Sequence, residues 1–164
     1  MSIGKTSLFL NKPRKQLMNN CFLLALGFVT LLGAVGHGQG RGTARDLAQA
    51  EAKWMALRPA QYEFTLEVFC FCGPDIRRPV TFRVALGHAA PRGQLNQTAR
   101  QFFEKYKTVD RLFSFLHAMW EQNPAKVAVK YDRKLGYPKS MAIDYNAQTK
   151  DDEFYLKVIH FKPR

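Results

Sequence analysis

Cys70-Phe71-Cys72 has more chemistry open to it than any other arrangement in this 164-residue chain. Two thiols one residue apart can close a disulfide, cycle as a redox couple, or supply half of a zinc site. A straight strand resists the first. Its residues i and i+2 point the same way, yet a rise of about 3.3 Å per residue leaves their Cβ atoms roughly 6–7 Å apart. A disulfide wants about 3.8 Å. A bulge or bend must close the gap, and Gly73-Pro74 just downstream permits one. A bond made that way would be strained and reducible. The plainer readings are a structural staple, or two buried thiols acting as small apolar groups. Thioredoxin-like spacing has two residues between the cysteines, and no helix N-terminus is expected here to lower a thiol pKa. A closed zinc site needs four ligands. His88 follows the neighbouring strand, whereas His117 and His160 lack ligand spacing, so no metal and no cofactor are expected.

Tyr131-Asp132, followed by Gly136-Tyr137-Pro138, is the second candidate, a shaped loop that could present Asp132 and Tyr137 to a ligand. The same residues also spell turn chemistry. Asp can bond its own backbone, Gly supplies a positive φ, and Pro stiffens the exit. Asp144, Asp151, Asp152 and Glu153 gather near one hairpin. Their spacing is not that of a helix–loop–helix calcium site, and solvated acids are the expected reading. No HExxH, GxSxG or phosphate-loop GxxxxGKS pattern occurs. Nothing places two acids face to face for proton transfer. The chain therefore reads as a non-catalytic module rather than an enzyme.

The elements that must position these residues follow from periodicity. Thr43-x-x-Asp46 makes a capping box, and Leu47, Ala50, Trp54 and Leu57 follow at helical spacing until Arg58-Pro59. Tyr62–Cys72 alternates with period two, placing Tyr62, Phe64, Leu66, Val68, Cys70 and Cys72 inward and Glu63, Thr65 and Glu67 outward. Gly73-Pro74-Asp75 reads as a turn, Pro79–Leu86 as a second strand, and Gly87–Ala90 as a short third. Pro91–Ala99 reads as loop and Arg100–Asn123 as one helix, whose better-defined part is capped by Thr108. Lys126–Asp132, Lys139–Tyr145 and Glu153–Phe161 read as strands, the last with large apolar residues on both faces. The expected fold is α+β: an antiparallel β-sheet with two α-helices packed on one face. The pattern allows a degenerate duplication of a helix-plus-strands unit.

Residues 1–36 read as a secretory signal peptide. Lys5, Lys12, Arg14 and Lys15 precede the apolar run Cys21–Gly36, and Ala34-Val35-Gly36 fits a small-residue cleavage site. That run has 16 residues, short of the roughly 20 a spanning helix needs. An uncleaved N-terminal anchor is the alternative. Cys21 precedes the run, so no lipid anchor is expected. Residues 37–42 read as a flexible linker and 43–164 as a single domain. Cleavage would remove four of the 25 basic residues and none of the 13 acids, leaving a net charge of +8. An exported basic protein suits an anionic envelope component or a protein partner, and nucleic acid is not expected. The bases are scattered, with no run longer than two, as on a solvated surface. Outside the cytosol Cys70 and Cys72 would be the only thiols left, and oxidation would favour their pairing.

Three stretches resemble a bacterial family catalogued as domain of unknown function 6174. The first is Tyr62-Glu63-Phe64 leading to Cys70-Phe71-Cys72, then Pro79-Val80 and the strand to Gly87. The second is Thr108-Val109-Asp110-Arg111-Leu112-Phe113. The third is Tyr131-Asp132, Gly136-Tyr137-Pro138, Ile143-Asp144 and Asp151-Asp152-Glu153. The resemblance covers roughly Arg45–Phe161 and implies an exported or lipid-anchored envelope protein with no transferable activity. The chain departs from it in lacking a lipidation Cys and in carrying Arg133-Lys134 in the loop.

Overall fold

The computed structural model describes residues 43–149 and 153–164. The leader, the 37–42 linker, Cys21, Asp151 and Asp152 lie outside the described residues. The fold is α+β. Helix α1 (Ala44–Leu57) leads into strand β1 (Gln61–Phe69), the short helix α2 (Pro74–Arg77), β2 (Val80–Ala85) and β3 (His88–Pro91). Helices α3 (Gln97–Phe103) and α4 (Val109–Glu121) follow, then β4 (Lys126–Tyr131), β5 (Pro138–Asp144) and β6 (Phe154–Pro163). The six strands form one antiparallel sheet in the order β3-β2-β1-β6-β5-β4. Two three-stranded meanders thus meet where β1 pairs with β6.

Local chemistry explains the helix boundaries. Thr43 Oγ1 accepts from the Asp46 backbone N–H while the Asp46 carboxylate accepts from that of Thr43, satisfying two N–H groups the helix leaves free. Thr108 caps α4 through Arg111, and Tyr62 Oη accepts from the Val109 N–H at 3.0 Å. That second bond ties β1 to the start of α4. Burial pushes the Tyr62 phenol up, so it stays neutral. Arg58 Nη1 meets Asp110 Oδ1 at 2.6 Å, joining the end of α1 to the first turn of α4.

Among the described residues four helices stand where two were expected. The stretch read as one helix from Arg100 breaks before Thr108, whose backbone is extended. The break lets Tyr106 turn inward, where its ring stacks on Phe154 at 5.6 Å and meets the edge of Phe115 at 5.0 Å. Gly73-Pro74-Asp75, read as a turn, opens α2, with Pro74 in the first helical turn. Asn96 caps α3 inside the stretch read as loop.

The last strand's two apolar faces have a physical cause. Leu66 pairs with Val158 but Thr65 with His160, so Ile159 is an extra residue in the ladder. The bulge reverses the strand's alternation. Phe154, Leu156 and Val158 face the core before it, and Phe161 returns to the same side after it. There Phe161 stacks on Tyr137 at 4.4 Å and on Tyr62 at 5.2 Å, with Trp54 edge-on at 6.0 Å.

Candidate functional site

The β4–β5 loop is held by its own backbone and by α1. Asp132 Oδ1 accepts from the Lys134 and Leu135 N–H groups at 2.9 and 2.8 Å. The Asp132 N–H donates to the Tyr137 carbonyl, and the Gly136 N–H to the Asp132 carbonyl. Gly136 sits at φ +84°, and a Cβ there would stand 2.4 Å from the Ala50 carbonyl oxygen. Lys53 Nζ donates to the Arg133 carbonyl at 2.6 Å. Gly136, Tyr137 and Pro138 are buried. Burial, with Asp132 adding to it, pushes the Tyr137 phenol up to about 12. The Tyr131 ring lies parallel to Phe113 at 6.4 Å, and its buried hydroxyl has no hydrogen-bond partner. Of the five loop residues singled out by sequence, Tyr131 and Asp132 line a surface depression, while Gly136, Tyr137 and Pro138 fix the loop beneath it.

That depression is strongly cationic. It encloses about 780 Å³ and carries five cations: Lys130, Arg133, Lys134, Lys139 and Lys157. Its one acid, Asp132, is spent on the loop's N–H groups. Among the described residues none of the five cations lies within ion-pair distance of a carboxylate. Concave walls of low dielectric focus the field of such unpaired charges. Tyr155 supplies an aromatic wall. The linear sequence spreads these bases from 130 to 157, which is why they look scattered. Register gathers them, because Lys130 pairs with Ser140 and Ser140 with Lys157, three outward positions in one row.

Glu63 belongs to the outward set of β1, yet it is buried. It is 8 % exposed and sits beneath three guanidinium groups. Arg92 Nε is 2.5 Å from Oε1, Arg83 Nε 3.4 Å from Oε1, and Arg164 Nε 3.0 Å from Oε2. The Arg164 hydrogen bond, with Arg92 adding to it, holds the carboxyl down at about 2 against the opposing effect of burial. These three arginines are already partnered. They form a second basic cluster, and a less available one.

Strand β1 stops at Phe69, three residues short of the expected end at Cys72. The Cys72 N–H donates to the Cys70 carbonyl at 2.8 Å, a three-residue turn that folds the chain back on itself. It brings the two Cα atoms to 5.2 Å, and a disulfide joins Cys70 to Cys72. The bend thus supplies what a straight strand could not. Phe71 protrudes between the cysteines at 92 % exposure. A hollow of about 350 Å³ beside it is bounded by the disulfide loop and Arg77.

Among the described residues no three His, Cys, Asp or Glu side chains gather as a metal site would require. No helix among them is long and apolar enough to cross a membrane. One carboxylate oxygen of Asp144 is buried without a hydrogen-bond partner there. The model of a family of unknown function, DUF6174, matches residues 46–163. No curated protein and no solved structure matches the chain.

Proposed function

For a chain that belongs to DUF6174, we propose an exported, non-catalytic envelope module that binds an anionic group in the depression between β4, β5 and β6. The observation that carries it is the set of five cations without a carboxylate partner among the described residues. In this reading the helices occupy one face of the sheet. Contacts of Trp54 with Tyr62, Phe103 with Phe82 and Phe115 with Phe154 support it. The opposite face, with Lys130, Ser140 and Lys157, is then left for the ligand. Export rests on the basic, then apolar, then small-residue order of residues 1–36, cut near Gly36. An uncleaved N-terminal anchor is the alternative to cleavage.

Calorimetric titration with short-chain inorganic polyphosphate tests the anion site. A contact with an exposed charge is worth about 1 kcal/mol. Reversing Lys139 and Lys157 to Glu should weaken binding at least about tenfold, and raising the salt concentration should weaken the parent. Binding that ignores both changes would remove the site.

A second reading, a thiol–disulfide couple, is favoured by the disulfide between Cys70 and Cys72, two residues that are only partly buried. A partner dithiol would reduce the bond, its first thiolate attacking one sulfur and expelling the other as thiolate. Its second thiolate would then resolve the mixed disulfide. Full biological activity of Cys70→Ser would dismiss this reading.

A further inference from the structure

From the surface that adjoins the cationic depression we infer that the protein docks on an anionic lipid bilayer, with Phe71 as the side chain that enters the lipid. The inference rests on the proposed anion site and names its partner. Phe71 is 92 % exposed, the most exposed of the large apolar side chains among the described residues. A disulfide and a backbone hydrogen bond close the three-residue loop that carries it. A single exposed apolar residue needs no explanation. A rigidly presented one with aromatic and cationic neighbours does.

Phe69, two residues earlier, is 51 % exposed, and its ring lies 5.7 Å from Tyr155. Tyr155 is the aromatic wall of the depression that holds Lys157. The Phe69–Tyr155 contact thus ties the strand end that leads to Phe71 to the wall of the cationic hollow. Arg77 borders Phe71 and faces no carboxylate within ion-pair distance among the described residues.

Chemistry selects a bilayer over a protein partner. A stable protein interface buries about 800 Å² on each side. The hollow beside Phe71 is lined by only five residues, against the roughly 20–30 a side that shape a stable interface. A bilayer needs no such shape. Aromatic rings favour the lipid–water boundary, and neighbouring cations gain from anionic headgroups. The loop supplies the ring, and Arg77 and the depression supply the cations.

The full chain is mixed with vesicles of equal phosphatidylglycerol and phosphatidylcholine, and separately with phosphatidylcholine alone. Parent and variants share residues 1–36, so the comparison isolates position 71. Phe71→Trp should gain fluorescence quenching by lipids brominated near the headgroup, beyond that of the parent's Trp54 and Trp120, and only on the anionic vesicles. Phe71→Ala should bind them about tenfold more weakly, as losing most of a buried Phe implies. No added quenching, or equal binding by Phe71→Ala and the parent, would overturn the inference. Polyphosphate binding without ring quenching would leave the anion site standing and dismiss the bilayer. Ring quenching without polyphosphate binding would dismiss the depression as the headgroup seat.

Discussion

Arg164 donates from Nε to Oε2 of Glu63 at 3.0 Å, joining the last strand's exit to the first strand's entry across 101 positions. The Arg164 N–H also donates to the Gln61 carbonyl at 2.9 Å. With Arg83 and Arg92 on the same carboxylate, the cluster spans both sides of β1.

This cluster predicts an acid limit to stability. The Glu63 carboxyl is held at about 2 in the folded chain, against 4.5 for an unperturbed Glu. A depressed carboxyl stabilises fully above its unfolded value, and the contribution is lost as pH falls through the folded one. Urea midpoints should therefore fall between about pH 4.5 and 2. Glu63→Gln should lower the midpoint at pH 7 and flatten that decline. An unchanged slope in the variant would assign acid sensitivity to other groups.

Gly136→Ala should destabilise the fold by roughly 2–4 kcal/mol. A positive φ disfavours any Cβ, and this one would meet the Ala50 carbonyl oxygen at 2.4 Å. Thermal unfolding measures it. A shift within the scatter of surface variants would mean that the loop does not dock on α1.

Phe161→Ala should cost about 3 kcal/mol, near the value for a large aromatic in a core. Ile159→Ala, at the bulge, should cost less. Denaturant unfolding compares the two. Equal costs would contradict the reversal of alternation at Ile159.

Reduction, or Cys70→Ser, should lower stability by only about 1–2 kcal/mol, because the disulfide closes a loop of three residues and constrains the unfolded chain little. The melting curve with and without reductant reads it. A loss of 4 kcal/mol or more would make the bond a major support of the fold.

The parts of this fold that sequence made legible are those set by local rules. Thr43 and Thr108 cap helices as their side-chain chemistry requires, and β1, β2, β4 and β5 follow from alternation. What it hid depends on pairing between distant segments. Ile159 bulges only because β1 lies beside it, and Tyr106 breaks a helix only because Phe154 and Phe115 await its ring. Alternation gives Glu63 only an outward position, because nothing near it in sequence announces Arg83, Arg92 and Arg164. The five cations of the depression come from three strands and a loop, and composition alone spreads them over a surface. The disulfide pair stood out, but the turn that closes it required the strand to end at Phe69.

The most direct test of the anion site compares two variants of equal net charge by titration with short-chain polyphosphate. Lys139→Glu with Lys157→Glu reverses two cations of the depression, and Arg45→Glu with Arg100→Glu reverses two exposed bases on α1 and α3. The site account predicts at least about tenfold weaker binding for the first pair and near-parental binding for the second. Equal losses in both would mean that the protein attracts anions by net charge alone, and that the depression is not a site.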